Sequence, residues 1–277
     1  MKIHLGQLLL VLSALLTTSL QAAELRISGA STIFPVLQQL ADQYEQRSGH
    51  SLVLSAGGSS RGIKDVRAGH SQIGMVSRAL REDESADLLY TTIGLDTLAF
   101  IVNENNPLTD ISQAELIALY TDRADWQQLT PGYDWPVRLV SKEVGRSTLD
   151  LFEGYTGLSS PDRQNASPPL ISHRASIIGA NLESLTLVAG QHGGVGYVSL
   201  GTAQSAIKAG LPARILTLNG IRPGRESISS GRYPIRRELN LVYRERSEPV
   251  EALLQLLASA AGQQVIENSG FIATGEP

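Results

Sequence analysis

Several short stretches of this chain place hydroxyl side chains where an apolar run stops and a helical pattern begins. The sharpest is Gly58-Ser59-Ser60-Arg61-Gly62, which follows "LVLSA" and leads into "IKDVRAG". It matches G-x-S-x-G, the pattern of a nucleophile elbow with Ser60 as the attacking serine. The same geometry also suits an anion, because N–H groups at a helix start and the hydroxyls beside them point toward negative charge. A nucleophile needs an acid and a late-loop histidine as partners. The histidines beyond residue 23 are His50, His70, His173 and His192. His50 and His70 close short helical patterns, where an imidazole complements the helix dipole. The chain after Ser60 soon leaves for a second unit, so the hydrolase reading lacks its partners.

Other turns share the form of the first. Ser31-Thr32 and Ser77-Arg78 follow apolar strands in the same half of the chain, and Gly145-Arg146-Ser147-Thr148 follows "VRLVSK" further on. In open α/β sheets, ligands bind outside the carboxyl ends of the strands. Turns at those ends therefore face one crevice, and most of them feed helix N-termini, whose free N–H groups and dipole favour anions. Helix capping explains any one such turn, since Ser and Thr are ordinary N-caps; their recurrence at equivalent strand ends favours a binding site. A hydrogen bond to a charged group contributes about 1.5–3 kcal/mol. Micromolar affinity needs about 8 kcal/mol net of ordering and desolvation, so a cage of convergent donors is required.

Metal chemistry finds no support, because no His, Asp or Glu cluster has ligand spacing and there is no cysteine. No cofactor is expected. The acidic run Glu82, Asp83, Glu84 reads as a solvated helix start. "RPGRESISSGR" reads as a solvated basic loop, or else as a lip over an anion or a partner contact.

The elements that position these turns alternate along the chain. "ELRIS", "SLVLS" and "QIGMVS" are short strands, and "TIGLDTLAFIV" reads as one long strand buried on both faces. Between the first two lies a helix with Pro35 in its first turn, Val36, Leu37, Leu40 and Tyr44 at helical spacing, and Gly49 just past its end. "SRGIKDVRAG" is a short helix with Ile63 and Val66 inward. The pattern predicts a mostly parallel, doubly wound α/β sheet. "NENNP" breaks it, and a second α/β unit follows. Its parts are the helix "SQAELIALY" with Ser112 and Glu115 as a capping box, the strand "VRLVSK", the helix "STLDLFEGYTG", a long polar loop and "GGVGYVSLG". After a helix and the strand "ARILTL", the last strand is "YPIRRELNLVY", and "EPVEALLQLLASAAGQQVIENSG" supplies one or two terminal helices. Crossings near 102–104 and 232–236 divide the chain into two lobes, residues 24–102 plus 234–277 and residues 103–233.

Whole-chain properties limit the classes of function. With 277 residues, 42% hydrophobic and 18% charged, the chain is globular with ample core. A net charge of −4 gives no general attraction to nucleic acid. Residues 1–23 have the form of a secretory signal peptide: Lys2 and His4, the apolar run "LGQLLLVLSALL", then small residues at Ala22 and Ala23. Without a cysteine there is no lipid anchor and no disulfide. The expected location is the periplasm, with secretion as the alternative.

Taken in order, "GASTIFP", "LADQYEQRSG", "GGSSRGIKDVRAG", "IGMVSRAL", "LAFIVNENNPLTDISQAELIALYTDRADWQQL", "GGVGYVSLG" and "YPIRRELNLVY" to "AGQQVIENSGFI" resemble the periplasmic phosphate-binding proteins of ABC importers, the PstS-like family. The resemblance covers nearly the whole chain after residue 23. It implies a type II periplasmic-binding-protein fold: two α/β lobes, two crossing strands and hinge closure on inorganic phosphate, with no enzymatic activity. It also implies permease subunits of an inner-membrane transporter as partners, and a monomer. By position it assigns phosphate contacts to Thr32, the Ile33 amide, Ser59, Ser60, Ser77, Arg78, Arg146, Ser147 and Thr148, with Ser31, Lys142 and Glu143 as further candidates. Lys142 stands where the family often has arginine, and Arg146 and Ser147 replace Ser and Gly. Ser77 stands where many members have an Asp that accepts the proton of hydrogen phosphate and so rejects sulfate; Glu143 is a candidate replacement. Arg146 has a competing reading as an ion pair with Asp150. Alternatives in function are a phosphate sensor or secreted scaffold of the same fold, a binder of another tetrahedral oxyanion, and the Ser60 hydrolase.

Overall fold

The computed structural model describes residues 24–274, so the expected signal segment lies outside the described residues. Strand β1 (Glu24–Gly29) leads to helix α1 (Phe34–Ser48), which carries Pro35 in its first turn, buries Val36, Leu37, Leu40 and Tyr44, and stops at Gly49 with φ +72°. Then come β2 (Ser51–Ala56), α2 (Ser59–Arg67), β3 (Ile73–Val76) and α3 (Glu82–Asp87). The apolar run expected as one strand is two, β4 (Leu89–Asp96) and β5 (Leu98–Asn103), broken at Thr97. After β6 (Asp110–Ile111) the chain forms α4 (Gln113–Tyr120), α5 (Trp126–Leu129), β7 (Arg138–Lys142), α6 (Ser147–Thr156), β8 (Ser176–Ile178) and α7 (Asn181–Ala189). It continues with β9 (Gly194–Ser199), α8 (Leu200–Lys208), β10 (Ala213–Ile215), β11 (Thr217–Leu218), α9 (Arg225–Ser229), β12 (Arg237–Tyr243), α10 (Glu248–Ala258), α11 (Ala260–Asn268) and β13 (Ile272–Ala273). The Ser112–Glu115 capping box forms as expected.

Two main sheets result, in the orders β13-β4-β12-β3-β1-β2 and β10-β5-β9-β7-β8, with a small pair β11-β6. The chain changes sheet at Thr97, ahead of the expected crossing at 102–104, because β5 pairs with β9 and β10 of the second sheet. It returns just before Arg237, since Tyr233 and Ile235 still pack in the second core. The sheets are mixed, not mostly parallel. Strand β12 re-enters from the other lobe, so it runs antiparallel to both β3 and β4. Antiparallel pairing of β9 with β5, and parallel pairing of β9 with β7 and of β7 with β8, follow from β5 leaving the cleft. The carboxyl ends of β1 to β4 and of β7 to β9 therefore all face the gap between the sheets.

Each sheet has its own core. The first gathers Leu25, Ile27, Leu37, Ile73, Leu239, Leu241 and Leu253. The second is aromatic, with Phe152 stacked on Tyr197 at 4.1 Å and Tyr120 4.7 Å from Phe152. Separate cores joined by two strands can move as units. The joint is nevertheless tied: the Thr97 hydroxyl donates to the Ile235 carbonyl, Tyr233 Oη donates to Leu98 O at 3.0 Å, and Asp96 pairs with Arg237. "RPGRESISSGR" is no open loop, since it forms α9 and buries Ser227 and Ile228.

Candidate functional site

The gap between the sheets narrows to a small pocket lined by Ala30, Ser31, Thr32, Gly58, Ser59, Ser77, Arg146, Ser147, Thr148 and Gly179. Each hydroxyl-bearing turn named from the sequence reaches it. The turn after β1 is set by the Ala30 N–H, which donates to Met75 O at 2.8 Å. The turn after β2 hangs from Gly29 O, which accepts the N–H groups of Gly57 and Gly58 at 2.8 and 2.9 Å. Gly58 has φ +91° and ψ 158°, a region nearly restricted to glycine, and a Cβ there would sit 2.8 Å from Gly145 O across the seam. Helices α2 and α6 begin at the cavity, so their first N–H groups, which have no intrahelical partner, lie beside it.

Hydroxyls from the two lobes meet in this space. Ser77 Oγ and Ser147 Oγ are 2.6 Å apart, and the Ser59 Oγ accepts the Ser77 N–H at 3.1 Å. The Ser59 hydroxyl proton thus remains available to a ligand. Thr32 Oγ1 accepts from Asn181 Nδ2 at 3.1 Å and from Arg237 Nη2 at 3.3 Å, and Thr148 Oγ1 accepts from Arg237 Nη1 at 3.2 Å. Arg237, Asp96 and Asn181 were not anticipated. Asp96 closes β4 and Arg237 opens β12, which puts both charges at the cleft ends of neighbouring strands. Their side chains are both wholly buried, joined at 2.6 Å through Nη2 and 2.9 Å through Nε.

Other expected contacts lie elsewhere. Arg78 turns away from the cavity because Glu84 holds it, Nη1 at 2.6 Å and Nη2 at 2.8 Å. Glu84 is accordingly buried, not part of a solvated run. Burial opposes its charged form, yet hydrogen bonds from Arg78 and the Arg81 N–H bring its pKa below the ordinary carboxylate value. The Ile33 N–H donates to Ala30 O at 3.2 Å and its side chain is core. Ser60 lies on the seam, its N–H donating to Gly145 O at 3.3 Å. Among the described residues no hydrogen bond joins Ser60 to a histidine; His50 pairs with Glu248, and His192 stacks on Trp135. Lys142 is buried and donates to Ala180 O at 2.9 Å and to Ser184 Oγ. Burial, with Arg146 and Arg237 nearby, pushes its pKa down to about 7. Glu143 is half-exposed and takes Arg146 at 2.7 Å, so it is not the acceptor missing at Ser77. Arg146 lines the cavity, and its guanidinium occupies space left by Gly179, where a Cβ would lie 2.5 Å from Nη2. It does not pair with Asp150, which Arg163 holds at 2.6 Å.

The arrangement offers hydroxyl donors, helix starts and an arginine, with no carboxylate in the lining. That chemistry suits a small tetrahedral oxyanion. Comparison with known proteins agrees. Residues 17–266 match the family described as a PBP superfamily domain. The phosphate-binding protein PstS of Borreliella burgdorferi is 24% identical over 251 residues, covering 89% of this chain and 88% of that one. A solved structure described as a phosphate ABC transporter substrate-binding protein with bound phosphate, from Clostridium perfringens, aligns with a TM-score of 0.79 at 25% identity over 91% of this chain and 99% of its own. An ABC-type phosphate transport receptor from Vibrio cholerae aligns with a TM-score of 0.69 at 25% identity over 91% of this chain and the whole of its own. With a match across nearly its full length and the two-lobed fold to go with it, this chain belongs to the PBP superfamily.

Proposed function

We propose that this chain binds inorganic phosphate between its lobes and hands it to the permease of an ABC importer. It works as an exported monomer in the periplasm, as a binding protein and not an enzyme. Lobe 1 comprises residues 24–96 plus 237–274 and lobe 2 residues 98–235. The observation that carries the reading is the hydroxyl-lined pocket fed by both lobes, with Arg146 in its wall and Arg237 touching Thr32 and Thr148. Thr32, Ser59, Ser77, Ser147 and Thr148 donate to the phosphate oxygens, with Ser31 at the edge. The relatives it matches are named for phosphate binding and phosphate transport. No helix among the described residues is long and apolar enough to cross a membrane.

Selectivity follows from the lining. A carboxylate accepts the proton of hydrogen phosphate and repels sulfate, but here the candidates are the Ser77 and Ser147 hydroxyls. A hydroxyl accepts that proton with a lone pair, or rotates and donates to sulfate instead. Discrimination then rests on about one hydrogen bond to a charged group, about 1.5–3 kcal/mol, or roughly 10–150-fold. Calorimetric titration of the chain from residue 24 with phosphate and with sulfate tests both points. Micromolar or tighter phosphate binding, with sulfate weaker within that range, is expected. Absence of heat and of thermal stabilisation by phosphate would remove the proposal.

A further inference from the structure

A second set of contacts crosses the seam, away from the cavity. Arg78 and Arg81 follow β3 of the first lobe, whereas Asp150 lies in the first turn of α6 in the second. Arg78 Nε and Asp150 Oδ2 face each other at 3.7 Å, and Arg81 Nη2 is 4.0 Å from the same oxygen. Both Arg78 Nε and Asp150 Oδ2 are buried and lack a hydrogen-bond partner. Their remaining atoms are committed within their own lobes, Arg78 to Glu84 at 2.6 Å and Asp150 Oδ1 to Arg163 Nη2 at 2.6 Å. Two buried, complementary, orphaned atoms are costly as they stand. A further approach of about 0.5 Å brings 3.7 Å within hydrogen-bond reach.

We infer that Arg78 and Asp150 form an inter-lobe latch, whose hydrogen bond forms as the lobes close fully and which sets how fast a bound anion leaves. The inference rests on the phosphate-binding reading for its ligand, but the latch itself is a property of the two lobes. Asp150 sits two residues after Thr148 on α6, so an anion that draws the start of this helix toward the first lobe draws Asp150 toward Arg78. Glu84 and Arg163 hold each partner in its lobe, which fixes the geometry before closure. Asp150 is thus a positioning residue that never touches the ligand.

The test is Asp150→Asn in the chain from residue 24, with phosphate as probe. Stopped-flow release is expected to be about tenfold faster, with the association rate changed less than about twofold, since loss of a buried charged hydrogen bond acts on dissociation. In an Arg78→Lys background, which lacks the Nε donor, the same substitution is expected to have little further effect. Equal effects in both backgrounds, or an unchanged release rate, would overturn the latch. Small-angle scattering without ligand gives an independent readout: Asp150→Asn shifts the unliganded protein toward a larger radius of gyration than the unsubstituted chain. If phosphate does not bind the unsubstituted chain at all, the proposed function fails and the latch is judged on scattering alone, where identical curves refute it.

Discussion

Replacing Asp96 with Asn separates what holds Arg237 from what Arg237 does. The guanidinium is wholly buried, 2.6 and 2.9 Å from Asp96 Oδ2, while its contacts with Thr148 and Thr32 are longer at 3.2 and 3.3 Å. Asp96 is therefore its counter-charge, and the hydroxyls are places where an anion's oxygens can substitute. Asn keeps the shape and one acceptor but removes the charge. Breaking a buried pair from one side costs about 3–5 kcal/mol. For a chain of this size that lowers the melting temperature by roughly 10 °C in the absence of ligand. Bound phosphate restores the missing charge, so part of the loss returns on binding. If one charge-assisted bond of about 1.5–3 kcal/mol is regained, phosphate affinity rises about 10–150-fold. Calorimetry and thermal melts with and without phosphate read both quantities. The expected pair of results is a less stable free protein with a tighter ligand, and the converse substitution Arg237→Gln weakens phosphate binding by at least about 100-fold. An Asp96→Asn protein that is destabilised with an unchanged dissociation constant would show that Arg237 does not reach the anion.

Two further outcomes follow from other buried features. Lys142 has its pKa pushed down to about 7 in the fold, against an ordinary value of 10.5, so the unfolded chain binds more protons between those values. By linkage the cost of burying this ammonium is fully present below about pH 7 and is relieved as pH rises toward 10.5. Thermal melts from pH 6 to 10 should show the native chain gaining on Lys142→Met with rising pH, whereas parallel curves would refute the assignment. Gly58→Ala places a Cβ in the glycine-only region, 2.8 Å from Gly145 O and 2.9 Å from Arg146 Cδ. It should cost about 1–3 kcal/mol and weaken phosphate binding at the seam. Denaturant midpoints and titration measure the two, and native affinity would count against a closed bound state.

The turns were legible in the sequence because one local rule generates them: an apolar strand stops, small hydroxyl residues follow, and a helix starts. Ser31, Thr32, Ser59, Ser77, Ser147 and Thr148 obey it, and all of them line the cavity. The misplaced residues are their neighbours. Ile33, Ser60 and Arg78 stand beside those positions, but adjacency along the chain fixes where a Cα lies and not where a side chain points. Arg78 is decided by Glu84, and Lys142 by Ser184, a residue of a helix that the sequence did not disclose. The break at Thr97 was hidden for a different reason: the cleft half of β4 and the whole of β5 are largely buried, so the apolar run continues through a change of sheet.

Asp96 and Arg237 were out of reach because they lie 141 residues apart and meet only once both crossings exist. Their placement nevertheless explains how such a site can open. The pair sits where the two crossing strands run side by side, flanked by Thr97 with Ile235 and Leu98 with Tyr233. The first lobe therefore carries the buried cation, at its edge beside the two crossings. In the proposed opening, Thr148 of the second lobe leaves Arg237, while Thr32 and Asp96 of the first lobe stay with it. The open protein keeps its guanidinium neutralised, so no unpaired charge has to be exposed or buried during opening. Closure then needs only to bring hydroxyls and helix starts onto an anion already drawn toward a fixed arginine.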